Sequence, residues 1–113
     1  MSTVKVDTIK TTGNVEVYTC KAWVNFDGTQ AAASMIRASG NVSSITDSGT
    51  GIYVVNFETA MTDASYSTVV TCEQAEFAGM GSPTTSSITV YCVTRQDSLS
   101  RVDNEFMNVA VFR

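Results

Sequence analysis

The sequence contains no histidine. Without an imidazole there is no Ser-His-Asp or Cys-His dyad, no histidine general base and no histidine metal ligand. Proline occurs once, and charged residues make up only 16% of the 113 residues, 7 basic against 11 acidic for a formal net charge of −4. The lysines and arginines are scattered, so no cluster supplies the concentrated positive potential that a nucleic-acid backbone or an anionic membrane surface requires. No apolar run nears the ~20 residues needed to span a bilayer, and the first residues lack the basic and apolar regions of a signal peptide. The expectation is a soluble chain with no nucleic-acid partner and no membrane insertion. Three cysteines, Cys20, Cys72 and Cys92, stand far apart with no Cys-x-x-Cys pair, so neither a zinc knuckle nor a complete disulfide framework is implied. Two readings of them stand. They are small apolar strand residues in a reducing cytosol, or Cys72 and Cys92 pair on adjacent strands.

What is present points to strands. Thr, Ser and Val dominate, a balance that suits pleated, half-buried surfaces and disfavours long helices. A chain of this length forms one domain around a single core. Between Asn41 and Tyr66 the residues Thr46–Gly51 form a turn by composition, because Asp47 and Ser48 bond the backbone locally and Gly49 and Gly51 tolerate positive φ. Val42 and Ile45 precede it; Tyr53, Val55 and Phe57 alternate after it with Val54, Asn56 and Glu58, the period of a hairpin facing a core. Strands are also predicted over Val15–Phe26, closed by the Asp27-Gly28 turn, over Ser65–Cys72, over Ser86–Thr94 with Ile88, Val90 and Cys92 on one face, and over Glu105–Phe112. Residues 1–14 read as an extended arm or short edge strand, with Val4 and Val6 alternating against Lys5 and Asp7 and with Ile9 following. Gln30–Arg37 reads as an irregular loop, its alanines too few for a stable helix. Glu73–Thr85 reads as a long Gly-rich loop, and Arg95–Asn104 as a polar one. The class is all-β, a single β-sandwich or Greek-key roll over residues 15–113.

Catalytic chemistry finds little footing. Glu73 with Glu76, or Asp97 with Asp103, are the carboxylate pairs that a glycosidase would need facing across a cleft, but loop carboxylates are more simply solvated, and the expectation is no enzyme and no cofactor. Gly49-x-Gly51 has no following helix or basic residue and reads as a turn, not a phosphate cradle. Asp47, Ser48 and neighbouring carbonyls could hold calcium, although oxygen-rich turns are usually ordered by their own hydrogen bonds. Trp23 reads either as a core or subunit-interface residue or as a sugar-stacking platform.

Three stretches carry a resemblance. Asn41-Val-Ser-Ser-Ile-Thr-Asp-x-Gly-Thr-Gly51 followed by Tyr53-x-Val-Asn-Phe-x-Thr-Ala-Met-x-Asp-Ala-x-Tyr66 resembles a module of tailed-phage virion proteins, found mostly near the ends of tail fibres. Cys20-Lys-Ala-Trp-Val-Asn-Phe-Asp-Gly-Thr29 and Asn108-Val-Ala-Val-Phe-Arg113 are similar to the start and end of the same module. The opening Met1–Gly13 is similar to that of cyanobacterial-phage structural proteins, where it leads into the attachment end of a fibre. Ile36-Arg37-Ala38-Ser39 match the module, whereas Gly40 stands where an aromatic residue is common and Thr62 stands before Asp63 where proline is common.

The resemblance implies a virion protein made in the host cytoplasm and arranged around a threefold axis. On that basis a homotrimeric short tail fibre or fibre tip is expected, docked to other virion proteins through the arm (Val4, Val6, Ile9) and facing the host surface, with its glycans, through the two long loops. Phe77, Met80, Arg95 and Arg101 are the candidate contact residues, with Phe77 equally able to fold back on the sandwich. A capsid decoration or cement protein is the alternative. A free carbohydrate-binding module, which would show several surface aromatics and a secretion signal, is a third class.

Overall fold

The computed structural model describes residues 3, 5, 8–73, 77–94 and 100–113. They form a β-sandwich, as the alternating sequence predicts. One sheet carries β1 (Cys20–Phe26), β2 (Ile36–Gly40), β5 (Ser67–Cys72) and β9 (Met107–Phe112) in the order β2-β1-β9-β5. The other carries β3 (Val42–Gly49), β4 (Ile52–Phe57), β6 (Phe77–Gly81) and β7 (Ser87–Thr94) in the order β3-β4-β7-β6, and the two-residue β8 (Ser100–Arg101) pairs with the end of β7 beyond β4. Every ladder is antiparallel. The last strand lies between the first and the fifth, so the chain end is in the middle of a sheet.

The core is built by period-two alternation. Ala22, Val24 and Phe26 of β1 and Met107, Val109 and Val111 of β9 meet Tyr53, Val55 and Phe57 of β4 and Ile88, Val90 and Cys92 of β7, all buried. Phe26 and Tyr53 pack edge to face across the sheets with ring centroids 5.2 Å apart, a geometry that adds about 0.5–1.5 kcal/mol to the area buried. Phe57 and Tyr66 repeat it at 5.7 Å.

Turns follow residue chemistry. The β3–β4 hairpin narrows to Thr50-Gly51, with Gly49 at φ 143° and Gly51 at φ 66°, and the Asp47 carboxylate accepts the Gly49 N–H at 3.2 Å. Asp27 accepts from both the hydroxyl and the N–H of Thr29, which holds its carboxyl below the usual range. Asn41, left-handed at φ 55°, carries the chain from one sheet to the other; its amide donates to the Lys21 and Thr59 carbonyls and its Oδ1 accepts the Thr59 N–H at 2.6 Å.

Four expectations are corrected. The first regular strand begins at Cys20, not Val15, because Val15 and Val17 are exposed and belong to a small hairpin: Val17 N–H bonds the Ile9 carbonyl, Thr11 N–H bonds that of Val15, and Asn14 turns at φ 64°. The loop over 30–37 contains one turn of 3-10 helix, Ala32–Ser34. Within the Gly-rich stretch, Phe77–Gly81 is an edge strand held by its ladder to β7. Of the polar stretch to Asn104, the described residues 100–104 are not simply solvated, as the next section describes. The hairpin also explains the shape. The Cα radius of gyration is 15.6 Å, against roughly 13 Å for a compact chain of this length, and residues 8–21 are all exposed.

Candidate functional site

The structure separates the residues singled out from the sequence. Val4, Val6 and Arg95 lie outside the described residues, as do Glu76 and Asp97. Ile9 is exposed on the hairpin arm, where Val15, Val17 and Tyr18 are exposed with it. Phe77 and Met80 do not share a surface. Phe77 is opposite Val93 and Met80 opposite Val90. Since Val90 is buried, Met80 lies on the core side of the edge strand and Phe77 on the outer side. Phe77 therefore does not fold back on the core; it is 49% exposed.

Phe77 and Arg101 are brought together. Both are register partners of Val93, one from each side, and the Arg101 guanidinium lies 5.1 Å from the centroid of the Tyr91 ring. The outer face of this sheet thus carries a small aromatic and cationic group, Phe77, Tyr91 and Arg101, at the end where Tyr91 is opposite Ile52 beside the β3–β4 turn.

A second surface was only half legible. On the four-stranded sheet, Trp23 is paired with Gly40 on one side and Ala110 on the other, and Ala110 is paired with Val69. Their strand neighbours Ala22, Val24, Val109 and Val111 face the core, so this row faces outward. Trp23 is not a core residue, being 44% exposed. Gly40 makes room for its indole: a Cβ there would collide with Nε1 and lie 2.8 Å from Cδ1. Phe112 extends the apolar surface on one side and is 41% exposed. Asn25, Asn108 and Thr71 form the next row, Asn25 donating to Asn108 Oδ1 at 2.6 Å. A shallow groove of about 240 Å³ runs between Trp23, Val69, Thr71, Asn108 and Ala110. No charged side chain stands in these rows. Arg37 closes the rim, 4.6 Å from the Phe106 ring centroid and 3.5 Å from the Asp27 carboxylate.

Asp103 serves structure. Asp103 Oδ1 accepts the Tyr53 hydroxyl at 2.7 Å and the Gly51 N–H at 2.9 Å. The same hydroxyl lies 3.0 Å from the Gly28 carbonyl, and Gly28 N–H bonds the Asn104 carbonyl at 2.8 Å. Burial, reinforced by the Asp103 hydrogen bond, pushes the Tyr53 phenol far up, so it stays a donor. This network ties residues 102–104 to the turns at Gly28 and Gly51. Among the described residues no group of three or more Cys, Asp or Glu side chains converges as a metal site would.

Asp63 is likewise occupied, by a two-pronged ion pair with Arg113 at 2.9 and 2.8 Å that fastens the end of β9 to the loop before β5. Comparison with protein-family models, curated proteins and solved structures finds no match for this chain.

Proposed function

We propose that this chain is a structural module of a tailed-phage virion, a short tail fibre or fibre tip that assembles as a homotrimer and attaches the particle to the host surface. The phage assignment rests on the resemblance of residues 20–29, 41–66 and 108–113 to the fibre module. The assembly rests on one observation, the uncharged rows around Trp23 on the outer face of the β2-β1-β9-β5 sheet. Homomeric interfaces are more apolar than ordinary surface, and copies that each carry a net charge of −4 meet with least repulsion on rows that bear no acidic side chain. In that arrangement the hairpin arm, with Ile9, Val15, Val17 and Tyr18 uncovered, docks to other virion proteins. The opposite sheet presents Phe77, Tyr91 and Arg101 to the host surface or its glycans.

Antibody against the purified chain, applied to the phage particles that carry it and viewed by electron microscopy, tests the location. Label at the free ends of tails supports the fibre reading. Label over the head makes the chain a capsid decoration protein, and particles that bind no antibody overturn both.

A further inference from the structure

We propose that the outer face around Tyr91 binds an acidic glycan, a chain of sugar rings bearing uronic-acid carboxylates, with Arg101 taking the carboxylate. The inference deepens the host-surface reading above and rests on it for its biological setting.

The register lays the positions out in rows. Val93 stands between Arg101 and Phe77, and Tyr91 between Ile52 and Gly79. The alternate residues Tyr53, Val90 and Cys92 are buried, so both rows point outward. Cys92 and Cys72 lie in different sheets with both thiols free, so the expected pairing on adjacent strands is not found.

Two glycines of β6 open the face beside the Tyr91 ring. A Cβ on Gly79, its register partner, would have nothing within 4 Å, and a Cβ on Gly81 would lie 3.2 Å from the Tyr91 hydroxyl oxygen. The ring therefore leans toward the edge strand, with its hydroxyl at the Gly81 end, where it offers a donor and an acceptor to a sugar hydroxyl. At 5.1 Å from the ring centroid, the Arg101 guanidinium is held against the ring. Stacking engages the flat side of a guanidinium and leaves its N–H edge for a planar anion. Arg101 is exposed, neither row contains an acidic residue, and among the described residues no carboxylate forms an ion pair with it. In a chain of net charge −4, such a cation draws an anion to this face.

The second point of contact is Phe77. It is 49% exposed and stands two strand spacings from Arg101, ~10 Å between backbones. A small inorganic anion fills only the Arg101 end. An acidic sugar chain fills both, a carboxylate pairing two-pronged with Arg101 and a C–H face of a ring resting on Phe77.

The test is an NMR titration of the full chain, following backbone amides and the arginine Nε–H groups. The probes are glucuronate- and galacturonate-containing oligosaccharides, their carboxyl-reduced neutral counterparts, and poly-glutamate. The expected result is saturable shifts at the Arg101 Nε–H and at residues 77–79 and 91–93 with the uronates. Binding should be at least roughly tenfold weaker for the neutral counterparts and for Arg101→Gln. Arg101→Lys, which keeps the charge without the fork, should fall between, and Phe77→Ala should weaken uronate binding about threefold or more. The proposal is overturned if no uronate shifts this face, if neutral sugars bind as well, or if poly-glutamate binds as tightly. Uronate binding by a chain whose antibody labels the phage head would keep this site and end the attachment reading. Label at the tail ends with no uronate binding would end this proposal alone.

Discussion

Single residues decide more here than their exposure suggests. Gly51 sits at φ 66°, and a Cβ there would lie 2.6 Å from the Val102 nitrogen and 2.7 Å from the Cys92 carbonyl, both backbone atoms with nowhere to go. Gly51→Ala should therefore cost more than about 2 kcal/mol in urea unfolding. Gly79→Ala, where nothing lies within 4 Å, should be neutral or stabilise by up to about 1 kcal/mol. A charge pair gives a pH signature. The Arg113 guanidinium, helped by the Ser65 N–H, holds the Asp63 carboxyl down to about 2, below its ordinary value. A depressed carboxylate favours the fold above its unfolded pKa, and this contribution is lost as pH falls from about 4 to about 2. Both side chains are 43% exposed, so the effect is modest and screened by salt. Asp63→Asn should flatten the acid limb of a melting-temperature profile in that window and leave the profile above pH 5 parallel to that of the parent.

At the scale of elements, legibility tracked how strongly a strand alternates. Tyr53, Val55 and Phe57, and Ile88, Val90 and Cys92, announced their buried faces because each lies in the middle of a sheet with one side in the core. Strand β6 did not, since Phe-Ala-Gly-Met-Gly has two glycines and no β-branched residue; its ladder to β7 overrides a poor local preference. Trp23 was visible as important but not as outward-facing, because the register that sets it beside Gly40 and Ala110 joins strands far apart in sequence. Nor could the Tyr53–Asp103 bond be read from residues 50 positions apart. The hairpin arm buries little and is held by few bonds, and isolated two-stranded hairpins are marginal in water. Removing residues 1–19 should change the unfolding free energy by less than about 1 kcal/mol, and the arm amides should exchange with solvent before those of β1. A large loss of stability on truncation would mean that the arm supports the sandwich.

For the whole molecule, the two sheet faces differ in kind. One is an uncharged row of Trp23, Ala110 and Val69; the other sets Arg101 beside Phe77 and Tyr91. On the proposed function the first is a contact between copies and the second a surface for another partner. The decisive measurement is the solution mass by light scattering of the full chain and of a Trp23→Lys/Val69→Lys variant, both checked for native fold by far-ultraviolet circular dichroism. The prediction is three times the chain mass for the parent and a folded single chain for the variant. A parent that stays monomeric at every concentration, or a trimer untouched by two lysines on this face, would contradict it.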